Sequence, residues 1–317
     1  MKRIGAIFLL LSLVMIVFLT GCDEELKADA KKVASAYNDA VNEYNEGIKT
    51  YNNAVDSIKA KNDEFNTTID NAQNVLNKNE TPFDPKTKTK LKKKIVKSNN
   101  EVVSVPKKIG QKKTVSVKDD WGKKELEDFI KKTKADTKSL KKASIPDTPK
   151  VPNYNKASKA LKKAQKKYED SVEGLKQITA PKDSFVIKRL QRVKTITAMD
   201  AVTEDHDPNG KLNKQGGYIG CIYFTDSRVD RSEVDTSDGT GCIDVGNEGG
   251  GAVEIFANKN DAEARDNYLT STQSIPFASP GSHYVRGTCV IRTSEHLKAS
   301  EQKSLTDEIT KALIKVN

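Results

Sequence analysis

The feature that most constrains this chain is a run of apolar positions at 37, 41, 44, 48, 51, 55 and 58, then 65, 69, 72 and 76. The steps alternate between three and four residues, which sets one stripe along one side of an α-helix; a strand alternates its faces every residue and cannot present it. Tyr37, Tyr44, Tyr51, Ile58, Phe65 and Ala72 make one half of the seam, and Val41, Ile48, Val55, Asn62, Ile69 and Leu76 the other. The spacing predicts a single long helix over 29–76 that must bury this seam against other helices. Tyrosines in the seam favour a partner helix of the same chain over a leucine-type dimer. Asn62 breaks the apolar run. It either fixes register at a cost in stability or is a solvated irregularity of a bundle.

More helices follow. Asp84-Pro85 reads as an N-cap with proline at the first helical position, opening a lysine-rich helix whose sparse apolar face is Leu91, Ile95 and Val102. Residues 106–120 read as loop or extended chain. A helix over 123–141 carries Leu126, Phe129, Ile130 and Leu140, and the proline repeat at 146, 149 and 152 then forbids helix. Residues 154–178 form the next helix, and Ala180-Pro181 ends the series. Beyond it, a short helix (184–193), strands at 197–202, 218–224, 252–257 and 283–293, and helices at 259–270 and 300–314 predict a small α+β domain. The fold expected is therefore α+β. An N-terminal all-helical coiled-coil or bundle stalk (22–180) precedes a head (181–317) with one mainly antiparallel sheet, covered by helices on one face.

The chain begins with Lys2-Arg3 and an apolar run to Leu19, ending in Leu19-Thr20-Gly21-Cys22 before Asp23-Glu24-Glu25. This has the basic, apolar and small-residue parts of an export signal. It resembles the lipobox of bacterial lipoproteins. The resemblance implies that residues 1–21 are a signal peptide cut before Cys22, whose thiol carries a diacylglycerol. The location expected is the extracellular face of the cytoplasmic membrane. The formal net charge is +10. Lysines dominate 86–142, whereas acids exceed bases from Asp200 onward. At a membrane surface the neighbours are anionic lipid and anionic wall polymer rather than nucleic acid, and each lysine near anionic lipid contributes about 1 kcal/mol. The clusters Lys92-Lys93-Lys94, Lys107-Lys108, Lys112-Lys113, Lys131-Lys132 and Lys162-Lys163 are either contacts of this kind or the wet faces of helices.

Asp205-His206-Asp207-Pro208-Asn209-Gly210 sets oxygens at alternating positions before a glycine, like the first half of an EF-hand loop. Gly216 stands where the bidentate glutamate belongs, so a complete calcium loop is excluded. Two readings stay open: a partial calcium site on Asp205, Asp207 and Asn209, or an Asx-rich turn bonded to its own backbone. Besides Cys22 there are three cysteines, Cys221, Cys242 and Cys289. In an exported protein, a bridge of Cys221 with Cys289 or with Cys242 is feasible, and three reduced thiols are the alternative. Gly249-Gly250-Gly251 precedes a strand and lacks the phosphate-loop lysine, so nucleotide binding has little support. His206, His283 and His296 lie far apart with no nucleophile context, which argues against an enzyme.

Phe185-Val186-Ile187, Ala201-Val202-Thr203-Glu204-Asp205, Gly216-Gly217-Tyr218, Gly249-Gly250-Gly251-Ala252-Val253-Glu254-Ile255, Ala264-Arg265-Asp266-Asn267-Tyr268-Leu269 and Gly281-Ser282-His283 together carry a further likeness. Over about 184–313 the chain resembles a recurrent C-terminal domain of Gram-positive cell-surface lipoproteins. The resemblance implies a location and brings no catalytic residues. The function expected is a non-enzymatic, lipid-anchored surface protein whose head meets an envelope protein or polymer. A calcium- or redox-responsive sensory module is the alternative.

Overall fold

The computed structural model describes residues 4–272 and 280–316, with side chains from Asp23 onward. Four helices come first: α1 (Ile4–Asn77), α2 (Pro85–Glu101), α3 (Lys123–Lys142) and α4 (Asn155–Gln177). They are followed by α5 (Asp183–Leu190), β1 (Ile196–Ala201), β2 (Gly220–Asp226), α6 (Cys242–Val245), β3 (Gly250–Ile255), α7 (Lys259–Thr272), β4 (Ser282–Arg286), β5 (Cys289–Thr293) and α8 (Ala299–Ile314). This is the α+β architecture the patterning predicts. The chain divides into two compact units, Met1–Thr67 with Glu101–Lys156, and Thr68–Asn100 with Ala157–Asn317. The boundary expected at residue 180 thus falls inside the second unit.

In the first unit the α1 seam is buried at Val41, Ile48, Val55, Ile58 and Phe65. On α3, Leu126, Thr133 and Leu140 are buried at seven-residue spacing, and Leu140 packs with Ala40 and Val41 beside Tyr37 and Tyr44. The connection from α2 to α3 runs extended and is held by a ladder of carboxamides. Asn38 donates to the Val115 carbonyl at 2.9 Å and accepts from its N–H at 2.8 Å. Asn45 grips Lys112 and Asn52 grips Ile109 in the same two-bond manner, every bond at 2.9 Å. Seven helical residues rise about 10.5 Å, and three extended residues advance about 9–10 Å. One asparagine per heptad therefore meets every third residue of the extended chain.

Asn62 is buried and bonded rather than solvated. Its Nδ2 donates to the Val103 carbonyl at 2.7 Å, and its Oδ1 accepts from the Tyr154 hydroxyl at 2.8 Å. The Tyr154 oxygen accepts from the Val103 N–H at 3.0 Å, and its ring stacks on Phe65. The polar seam residue thus ties the helix to both extended connections.

In the second unit α1 ends at Asn77, and the Asp84 carboxylate caps α2 by accepting from the Lys86 N–H at 3.0 Å. Tyr168 of α4 donates to the Glu80 carbonyl, and Ile178, just past α4, accepts from the Thr288 N–H, fastening that helix to the sheet. The strand order is β1-β2-β3-β5-β4, antiparallel throughout. Every residue of β2, β3 and β5 is buried. Ile222, Phe224, Val253, Ile255 and Ile291 face α5 and α8, while Cys221, Tyr223, Ala252 and Val290 face α6 and α7. Helices therefore cover both faces, not one. The second cover escapes sequence reading because α7 buries only Ala262 and Leu269, too thin a stripe to recognise. A second correction concerns 283–293, expected as one strand. It is a hairpin, β4 and β5, turning at Gly287-Thr288 with Arg286 paired to Cys289. Gly287 supplies the φ of 63° that such a two-residue turn requires.

Candidate functional site

Helix α2 has little to bury: only Leu91, Ile95 and Ser98. Lys90, Lys93, Lys94 and Lys97 recur beside that stripe at steps of three and four, so one flank of the helix is a row of ammonium groups. On α4, Leu161, Tyr168 and Val172 are buried, and Ala160, Ala164, Ser171 and Gly174 form an adjoining stripe of small side chains. Small residues leave a gap that larger ones would fill. The result is a cleft of about 900 Å³, floored by Ala160, Ala164 and Gly174 and walled by Phe83, by Ile314 at the end of α8 and by Val316 beyond it.

The rim of the cleft is electrostatically one-sided. Lys90, Lys93, Lys94, Lys97, Lys163, Lys167 and Lys315 line it, against Asp84 and Asp170. Asp170 is already paired with Lys166 at 2.9 Å, and Asp84 accepts from the Lys86 N–H. The cleft's two hydroxyls are structural: Ser171 accepts from the Asp84 N–H at 2.8 Å, and Thr87 donates to the Asp84 carbonyl at 2.6 Å. Lysines of this kind attract phosphate as point charges, without the forked geometry of arginine. The arrangement can hold an anion, and it offers no activated nucleophile. Of the lysine clusters singled out in the sequence, Lys93, Lys94 and Lys163 reach this cleft. Lys107, Lys108, Lys112, Lys113, Lys131 and Lys132 belong to the first unit.

The other sequence candidates are placed as follows. Cys22 lies outside the residues whose side chains are described. Asp207 accepts from the backbone N–H groups of Asn209, Lys211 and Leu212 and from the Tyr218 hydroxyl. Burial pushes its carboxyl upward, but the Tyr218 hydroxyl and the three N–H donors outweigh that and hold it below the usual carboxylate range. Asn209 donates to the Tyr223 hydroxyl at 2.8 Å, and Asp205 is exposed. These are the bonds of an Asx-type turn. Among the described residues, no three His, Cys, Asp or Glu side chains are grouped to hold a metal ion.

Cys221, Cys242 and Cys289 are each free and buried, as in the alternative of three reduced thiols. Strand β3 separates Cys221 from Cys289, and their side chains enter the cores on opposite faces of the sheet. Cys242 opens α6 and packs on the same face as Cys221 without bridging to it. Burial raises all three thiols, that of Cys289 to about 12, which leaves them protonated and unreactive. The histidines sit in separate pairs: His206 with Asp244, His283 with Asp266, and His296 between Glu233 and Glu248. The Ser282 hydroxyl bonds Gln302 rather than its histidine neighbour.

Sequence reasoning missed one cluster in the head. Glu254, fully buried on β3, takes two bonds from Arg265 of α7 at 2.8 and 2.7 Å and one from Arg292 of β5 at 3.0 Å. Burial raises its carboxyl, and the two guanidiniums overcome that and keep it ionised. The available signal was a charge inside each of two apolar strands, Val253-Glu254-Ile255 and Ile291-Arg292-Thr293. The network locks α7 to the sheet, with the buried Arg292 Nε making no hydrogen bond.

No protein-family model matches the chain, and comparison with curated proteins and with solved structures finds no significant match. No helix among the described residues is long and apolar enough to cross a membrane.

Proposed function

We propose that this chain is a lipid-anchored, non-enzymatic protein of the bacterial cell envelope that binds a phosphate-bearing envelope component in its α2–α4 cleft. The observation that carries the binding role is the lining of seven lysines against two aspartates over a floor of small residues. The anchor rests on Leu19-Thr20-Gly21-Cys22 behind its apolar run. A calcium- or redox-responsive role has less support, since the Asp207 oxygens are occupied by four hydrogen bonds and the thiols are buried singly.

The mature chain without its lipid (residues 22–317, Cys22→Ser) should bind vesicles containing phosphatidylglycerol and release them as salt is raised from 0.05 to about 0.5 M, where screening shortens the reach of surface charge to a few ångströms. The variant Lys93→Glu/Lys94→Glu/Lys167→Glu should bind at least tenfold more weakly. Equal binding by this variant, or binding indifferent to salt, would remove the cleft from the function. Failure of Cys22→Ser to abolish metabolic labelling with a palmitate analogue would remove the anchor.

A further inference from the structure

Phe83 lines more than the lysine cleft. A second cleft of about 880 Å³ begins on the other side of the same ring, lined by Leu175, Thr179, Val285, Thr288 and Thr310. The two lie in line along one pair of helices. From α4 and the turn after it, Ser171 and Gly174 line the first cleft and Leu175 and Thr179 the second. From α8, Ile314 lines the first, and Thr310 and Asp307 line the second. The helices run antiparallel here and touch where Gly174 meets Ile314, since a Cβ on Gly174 would come within 3.1 Å of the Ile314 Cβ. Phe83 projects between the clefts from a turn pinned to α4, its N–H donating to the Ser171 carbonyl at 2.9 Å. The two clefts thus adjoin along α4 and α8 as one furrow, with the Phe83 ring lining both.

Charge changes along this furrow. Seven lysines surround the first cleft. In the second, the charged residues are Lys259, Arg286 and Asp307, and Asp307 is paired with Lys303 at 2.9 Å. Much of what remains there is apolar side chain and threonine. We infer that the ligand of this site is an anionic amphiphile: its phosphate lies among the α2 and α4 lysines, and its single acyl chain passes Phe83 into the second cleft. This rests on the proposed binding role of the lysine cleft and names the class of ligand it takes.

The test is isothermal titration of the non-lipidated mature chain with glycerol 3-phosphate, octyl phosphate and decyl phosphate, the last two below their micellar concentrations. Each fully buried methylene is worth about fourfold in affinity, so decyl phosphate should bind roughly fifteenfold more tightly than octyl. Thr179 and Lys259 both line the second cleft and are exposed, so Thr179→Trp and Lys259→Trp plug it from two elements with little risk to folding. Each plug should erase the difference between octyl and decyl while leaving glycerol 3-phosphate binding unchanged. Equal affinities for the two alkyl phosphates would overturn the amphiphile assignment and leave a phosphate site that reads charge alone. A chain-length effect that survives both plugs would place the tail elsewhere and overturn it as well. Binding of none of the three probes would remove the lysine site itself.

Discussion

The extended segment over residues 102–118 and strand β2 are both stretched backbone, yet their polar groups are satisfied by opposite means. The segment is gripped at every third residue by asparagine side chains of α1, and most of its own side chains are exposed. Strand β2 is bonded along its length to β1 and β3 and is buried at every residue. A carboxamide offers a donor and an acceptor at the end of one side chain, so a helix can hold an extended chain without a sheet and without apolar residues to cover it. A sheet needs apolar side chains on any face it buries. This is how a chain with only 6% aromatic residues orders so much of its length. Its apolar residues are concentrated in the sheet and one helical seam, and the extended connection is ordered by polar contacts.

The element beside each stretch carries one polar residue in an apolar place: Glu254 on β3 next to β2, and Asn62 on α1 against the extended segment. The largest effect is expected at Glu254: Glu254→Ala leaves the Arg265 and Arg292 charges buried without a partner and should lower the unfolding free energy by about 3–5 kcal/mol, measured by urea denaturation followed by near-ultraviolet circular dichroism. A loss under about 1 kcal/mol would show that the cluster is solvated.

Asn62→Leu comes next. In a simple heptad seam leucine would stabilise, whereas here it orphans the Val103 carbonyl and the Tyr154 hydroxyl and should cost about 1–3 kcal/mol. A stabilised variant would mean that the tie between the two connections contributes nothing.

Asn45→Ala is smaller, about 1 kcal/mol for two partly exposed hydrogen bonds. It should speed amide exchange at Lys112 without changing protection in β2, β3 or β5. Slower or uniform exchange would contradict a local grip.

The smallest effect is the pH dependence at Asp207. A carboxyl held below its ordinary 3.8 stabilises the fold above that pH, and the contribution is lost as pH falls through its lower folded value. Asp207→Asn should therefore flatten the melting temperature between pH 5 and 2 relative to the parent.

Much of the architecture was legible because it rests on periodicity. The α1 seam, the Asp84-Pro85 start of α2, the proline-broken connection and the alternation of strands and helices in the head are local patterns that tertiary packing did not override. What was hidden depends on contacts distant in sequence. The hairpin at Gly287 interrupts a run that reads as one strand, because the glycine's backbone geometry leaves no trace in hydropathy. The opposite orientations of Cys221 and Cys289 follow from their registers on β3, where they pair with the adjacent residues Glu254 and Ile255, and no spacing announces that. The asparagine ladder had a signal, the repeated pair Tyr37-Asn38, Tyr44-Asn45 and Tyr51-Asn52. In each pair the tyrosine belongs to the apolar seam, whereas the asparagine beside it lies outside any hydropathy pattern. The cleft was visible only as lysine clusters, since sequence shows which residues are charged and not which helices they come to share.

The ladder also couples the lengths of two parts of the chain that are remote in sequence. Its rungs work as a vernier, with helix marks every seven residues and extended-chain marks every three. The two scales differ by up to about 1 Å per rung, so the match drifts, and the next marks along the chain are Lys59 and Pro106, neither of which can continue the two-bond grip. An insertion into α1 alone, or into the extended segment alone, would slide one scale against the other and break every rung beyond it. A heptad added to α1 together with a triplet added to the segment would lengthen the ladder by one rung. Tolerated length changes between relatives of this chain should therefore come in that seven-to-three ratio.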